Sequence, residues 1–133
     1  MSPEVRGEDS PAADLTLFEQ VARAIDDFVL VVDLQGRLTH VNDAAVERSG
    51  WLREELLGKP WTVFLPPAER DELAARIADE TRAGGFRGDV KNVTKSGKAL
   101  WVALRTSVLR RDGKAVGFVS ISRDIGEQKR VEA

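Results

Sequence analysis

Apolar residues recur along this chain at two different spacings, and the switches between them mark out its elements. Leu15, Phe18, Ala22 and Ile25 stand three or four apart, so 12–26 is expected to be an amphipathic helix that needs a surface for its stripe. Ser10-Pro11 suits a helix start, and the polar stretch 1–11 before it reads as a flexible arm. Phe28-Val-Leu-Val-Val32 is β-branched and apolar on both faces, which predicts a central strand. A turn at Asp33-Leu-Gln-Gly36 returns the chain as a second strand, Arg37 to Val41. Asn42-Asp43 can cap a short helix over 43–49 that stops at Gly50, and 53–57 gives another helical turn closed by Gly58 and Pro60. Pro66-Pro67 opens the longest helix, 67–83, with Leu73, Ala74 and Ile77 as its stripe and Gly84-Gly85 as its end. Three strands follow at 86–94, 98–110 and 114–123, joined by turns at Lys95-Ser-Gly-Lys98 and Arg111-Asp-Gly113. The order β-β-α-α-α-β-β-β predicts an α+β domain: one antiparallel sheet with its helices inserted after the second strand.

Composition narrows what such a domain can do. The chain has 133 residues, enough for one domain with a real core. A net charge of −2 gives no broad reason to expect nucleic acid. The absence of cysteine removes disulfides, thiol catalysis and thiolate–metal sites. With His40 the only histidine, a zinc site within the chain is argued against, and it reads as an ordinary partly buried strand residue. No apolar run approaches the ~20 residues of a membrane span, and the acidic start is unlike a signal peptide, so a cytoplasmic location is expected. No nucleophile–base pair, metal set or phosphate loop is visible, so an enzyme is not expected.

Five segments in order carry a family resemblance: Val-Val-Asp-Leu-Gln-Gly-Arg (31–37), Val-Asn-Asp-Ala-Ala (41–45), Gly-Trp-Leu-Arg-Glu-Glu-Leu-Leu-Gly-Lys (50–59), Lys-Ser-Gly-Lys-Ala-Leu-Trp (95–101) and Arg-Asp-Ile (123–125). Over about 15–130 the chain resembles a PAS domain. The resemblance implies a five-stranded sheet of order 2-1-5-4-3, helices across one face, an N-terminal flanking helix (12–26), a core over 27–125, an outgoing signalling helix beginning at 126–133, and often a dimer. The family ends its last strand in Asp-Ile-Thr. Here Gly126 stands for the threonine, which removes a capping hydroxyl and predicts a looser junction.

Strand alternation divides the sheet residues into two sets, and similarity to the flavin-binding LOV subgroup orients them. Leu100, Val102, Leu104, Thr106, Phe118, Ser120 and Ser122 are expected to face the helices. Trp101, Val119 and Ile121 are expected on the outer face, covered by the 12–26 helix or a second subunit. Candidate pocket residues are Trp61, Phe64, Ile77, Val90, Asn92, Val102, Leu104, Phe118, Ser120 and Ser122; for the apolar ones plain core packing is the favoured reading. Asn92, Val102 and Ser122 fall where LOV domains hold a flavin ring. Only Asn92 keeps a suitable polar side chain, and covalent flavin chemistry needs a cysteine, so flavin is disfavoured. Haem is disfavoured more strongly, because 67–83 has no histidine. Either no cofactor or an unknown small molecule is expected, with no metal. Asp124, followed by Ile125, is expected to accept backbone amides or pair with a basic side chain at the helix exit.

The leading expectation is a sensory and dimerisation module of a larger signalling protein, such as a histidine kinase, whose output domain lies outside this chain. The alternative is a ligand-independent interaction module, with a non-covalent flavin redox sensor behind both.

Overall fold

The computed structural model describes residues 26–132. The expected arm (1–11) and amphipathic stripe (Leu15, Phe18, Ala22, Ile25) lie outside the described residues. Five strands form one antiparallel sheet: β1 (Phe28–Val32), β2 (Leu38–Val41), β3 (Arg87–Val93), β4 (Ala99–Arg111) and β5 (Lys114–Asp124). Their order is β2-β1-β5-β4-β3, as the resemblance implied. Between β2 and β3 lie α1 (Asp43–Ser49), α2 (Arg53–Leu56), two 3-10 turns (Trp61–Phe64 and Pro67–Glu69) and α3 (Arg70–Ala83), and α4 (Gly126–Glu132) follows β5. The longest helix therefore starts three residues later than its proline signal suggests, because Pro67–Glu69 is wound as a 3-10 turn.

Local chemistry explains the turns that set the register. Asp112 and Gly113 both take positive φ (52° and 78°), the two-residue geometry whose twist suits the β4–β5 hairpin. Asn42 is buried at the end of β2, where its Oδ1 accepts from Val29 N–H (3.0 Å) and from Ala45 N–H (3.1 Å). Its Nδ2 donates to the Asp27 carbonyl at 2.8 Å, so one side chain caps α1 and ties it to β1.

The two faces of the sheet separate as alternation predicts. Val102 is fully buried and Leu104 nearly so, packed with Ile77, Phe64, Phe86 and Val90 in one core between sheet and helices. Trp101, Val119 and Ile121 lie on the opposite face, half-buried. There Val29 and Val31, the cross-strand partners of Ile121 and Val119, are each only 3% exposed. At one point β1 and β5 run so close that a Cβ on Gly117 would stand 2.3 Å from the Val32 carbonyl oxygen, which only glycine allows.

Candidate functional site

The expected pocket residues divide among three places. Trp61, Ile77, Leu104, Phe118 and Ser120 line one cavity of about 190 Å³ between α3, the 33–36 turn and the inner sheet face. Leu30, Val32, Gln35, Ala78, Thr81, Arg82 and Thr106 join them there, none of which the sequence singled out as a pocket residue. The 33–36 turn is shaped for this: Gly36 has φ +83°, and the Trp61 ring packs so close that a Cβ would sit 3.3 Å from it. Phe64, Asn92 and Ser122 line a second, much smaller cleft of about 30 Å³ beside Phe28, Arg48 and Leu100. That is room for about one water. Val90 and Val102 line neither cavity and belong to the packed core. A single pocket spanning all ten residues is thus replaced by two, because core side chains meet between them.

The polar end of the 190 Å³ cavity is a hydroxyl relay. Phe86 N–H donates to Thr106 Oγ1 at 3.0 Å, Thr106 and Thr81 share a short hydrogen bond, and Thr81 Oγ1 donates to the Ile77 carbonyl at 2.6 Å. Ser120 is the cross-strand neighbour of Thr106. Thr81 had a local signal, since it lies one helical turn beyond Ile77 on the same face.

The junction after β5 is held from three sides. Asp124 Oδ1 accepts from Gly126 N–H at 2.8 Å, so the carboxylate itself caps the start of α4 where the family threonine is missing. Asp124 Oδ2 pairs with Arg48 of α1, whose guanidinium also lies 5.9 Å from the centre of the Phe28 ring. Ile125 is buried, and its N–H donates to the Trp101 carbonyl at 3.0 Å. Both contacts expected of Asp124 are present together, and Arg48, which had no local signal, links the smaller cleft to the exit.

The outgoing helix folds back over the outer face. Lys129 reaches Asp89 at 3.2 Å and lies 5.1 Å from the Trp101 ring centre, while Lys91 approaches the same ring at 5.5 Å. Trp101 was expected under the 12–26 helix or a second subunit; among the described residues it is held by Lys91 and α4. His40 stands on this outer face beside Val31. Elsewhere, Lys95 donates to both oxygens of Glu55 (2.9 and 3.1 Å) and Leu52 N–H donates to one (2.9 Å). First the Lys95 ammonium and then the Leu52 amide hold the Glu55 carboxyl below its ordinary range. Among the described residues no group of three or more His, Asp or Glu could hold a metal ion, and no helix is long and apolar enough to cross a membrane.

The sequence profile of the PAS fold family matches residues 16–125, most of the chain. The chain belongs to the PAS fold family. This PAS domain is similar to a segment of the aerotaxis receptor of Escherichia coli, 32% identical over 123 residues, which covers 90% of this chain and 22% of that protein. It is similar to sensor histidine kinase TmoS of Ectopseudomonas mendocina (32% over 126 residues, 86% of this chain and 13% of that one). It is also similar to two-component system protein A of Emericella nidulans (29% over 110 residues, 81% and 16%). The PAS domain thus spans less than a quarter of each curated relative's length. Among solved structures it resembles the PAS domain of a Colwellia psychrerythraea protein (TM-score 0.75, 22% identity, covering 84% of this chain and 98% of that one). It also resembles the PAS domain of a LuxR-family transcriptional regulator from Burkholderia thailandensis in complex with ethanol (TM-score 0.67, 18% identity, 80% and 96%). A third is an RNA-binding light-oxygen-voltage receptor (TM-score 0.76, 19% identity, 92% and 36%). At these identities the structural likeness concerns the fold.

Proposed function

We infer that this PAS domain is the sensory and dimerisation module of a larger signal-transduction protein of the histidine-kinase or chemoreceptor type, acting in the cytoplasm and performing no catalysis itself. The observation that carries this reading is the triple hold on the junction. Asp124 ties α1 on the cavity side of the sheet, through Arg48, to the first turn of α4. A ligand or partner that shifts α1 or β5 therefore changes how α4 leaves, and a two-state element at a domain exit is what a relay requires. The names of the curated relatives agree with such a role. The output domain follows or precedes this segment in the intact protein.

The ligand is a small molecule rather than a flavin. Flavin-sized ligands use pockets of roughly 300–1,000 Å³, whereas the cavity between α3 and the inner sheet face is about 190 Å³; a more open hollow of about 430 Å³ lies elsewhere, beside Gly84, Arg87, Arg105 and Ile121, away from the flavin-contacting positions. The residues at the flavin-contacting positions do not fit the ring either: Val102 is apolar and fully buried, while Asn92 and Ser122 line the cleft of about 30 Å³. Haem has no axial histidine on α3. Absorption spectra and native mass spectrometry of freshly purified protein test this. A retained small molecule or an added mass supports sensing, and a yellow protein with flavin mass contradicts the assignment.

Dimerisation through the 12–26 segment and the outer sheet face is supported by the apolar row of half-buried Val119 and Ile121 on that face. The same row favours the second reading, a ligand-independent interaction module. Sedimentation at micromolar concentration decides the first point: a dimer is expected, and a monomer alone contradicts it. A dimer that carries no ligand and binds none favours the second reading.

A further inference from the structure

We propose that the 190 Å³ cavity selects a small neutral alcohol over a ketone or carboxylate of the same size. The proposal rests on the sensory reading and adds the chemical class of the ligand. Proton bookkeeping in the threonine relay carries it. The contact between Thr81 Oγ1 and the Ile77 carbonyl, at 2.6 Å, needs a proton between the oxygens, and only Thr81 has one to give. The Thr81–Thr106 contact needs a proton too, which must then come from Thr106. Both threonine protons are therefore spent inside the protein. Thr106 accepts once, from Phe86 N–H, and Thr81 accepts once, from Thr106, so each keeps one unused lone pair. The relay offers acceptors and no donors.

Beside it stands Ser120, the cross-strand partner of Thr106, whose hydroxyl makes no hydrogen bond among the described residues. Its rotor is free to donate. The polar end thus complements a group that both donates and accepts. A ligand hydroxyl gives its proton to a threonine lone pair and receives the Ser120 proton. A ketone oxygen takes the Ser120 proton alone and faces acceptors, and a carboxylate brings a full negative charge against them. Leu30, Val32, Leu104 and Phe118 make most of the remaining wall apolar, with Gln35 and Arg82 also on it. A dry cavity of about 150 Å³ holds benzene, so a six-membered carbocycle with one substituent is the matching size.

The test is titration of the full chain with cyclohexanol, cyclohexanone and cyclohexanecarboxylate, followed by amide NMR shifts. Cyclohexanol should bind about tenfold tighter than cyclohexanone, moving the amides of Thr81, Thr106 and Ser120, with the carboxylate weakest. Thr106→Val, checked for fold by circular dichroism, removes the relay and should bring the alcohol-to-ketone ratio below about threefold. Ser120→Ala removes the donor beside the relay and should weaken ketone binding more than alcohol binding. Ketone binding equal to or tighter than alcohol binding overturns the polarity assignment and leaves the sensory reading standing. Carboxylate binding as tight as the alcohol overturns it in favour of Arg82 at the cavity wall. If none of the three shifts a cavity amide, the site itself is overturned. The sensory reading is then judged separately, on what the freshly purified protein retains.

Discussion

Asn42→Ala is expected to destabilise the domain far more than a surface substitution. The Asn42 side chain makes three hydrogen bonds in a buried position: two accepted, from Val29 and Ala45, and one donated, to Asp27. Losing the cap on α1 costs about 1 kcal/mol. Leaving the buried Val29 N–H without a partner adds about 1–3 kcal/mol, so the total is about 2–4 kcal/mol. Against a typical domain stability of about 5–15 kcal/mol this is a large fraction. For a chain of this size it corresponds to a fall in Tm of roughly 8–15 °C. Urea unfolding followed by circular dichroism measures it directly, with a lower midpoint and an unchanged m-value. Asn42→Asp, which keeps both acceptor bonds, should recover part of the loss at neutral pH. A loss below about 0.5 kcal/mol for the alanine variant would refute the claim that this one amide joins β1 to α1.

Three further outcomes follow from the same geometry. Gly117→Ala places a Cβ 2.3 Å from the Val32 carbonyl, so β1 and β5 must separate; a cost of about 3 kcal/mol is expected in the same unfolding assay, and a neutral variant contradicts the close approach. The Glu55 carboxyl is held below its ordinary value of 4.5 by Lys95 and Leu52. A depressed folded-state value means that its contribution to stability is complete above about pH 4.5 and is lost as pH falls through the lower folded value. Lys95→Ala should raise the Glu55 titration midpoint seen by carboxyl-carbon NMR, and an unmoved midpoint counts against the pair. Trp101→Ala removes the ring that Lys91 and Lys129 share; proteolysis within α4, at Lys129, should then quicken, while the core keeps its native circular dichroism.

How much was legible in the sequence depended on how local the physics is. Period-two alternation along β4 set Val102 and Leu104 apart from Trp101, and the resemblance to LOV domains assigned the first pair to the core side and Trp101 to the outer face. The Asp112-Gly113 turn and the Asn42 cap were visible because turn and cap chemistry acts within a few residues. Contacts between distant segments were not visible. The Arg48–Asp124 pair spans 76 residues, and the Thr81–Thr106 relay spans 25. Neither side chain advertises its partner by spacing, since each pairing exists only once α1 and α3 lie across the sheet. The same holds for the division of the pocket: Phe64 and Trp61 stand three residues apart in one 3-10 turn, a spacing that gives no sign that they line different cavities. The missing threonine at Gly126 suggested a loose exit, and the capping bond turns out to come from Asp124, two residues earlier.

The central claim is that the Arg48–Asp124 contact connects the cavity side of the sheet to the outgoing helix. Hydrogen exchange at the α4 amides measures it most directly in the intact chain. Gly126 N–H is held by Asp124, and Lys129 N–H by the Ile125 carbonyl at 2.9 Å. A partly exposed pair of this kind contributes up to about 1 kcal/mol. Arg48→Ala should therefore speed exchange at Gly126 and Lys129 by about three- to fivefold while leaving β1 amides protected. Unchanged exchange at both amides would contradict the relay.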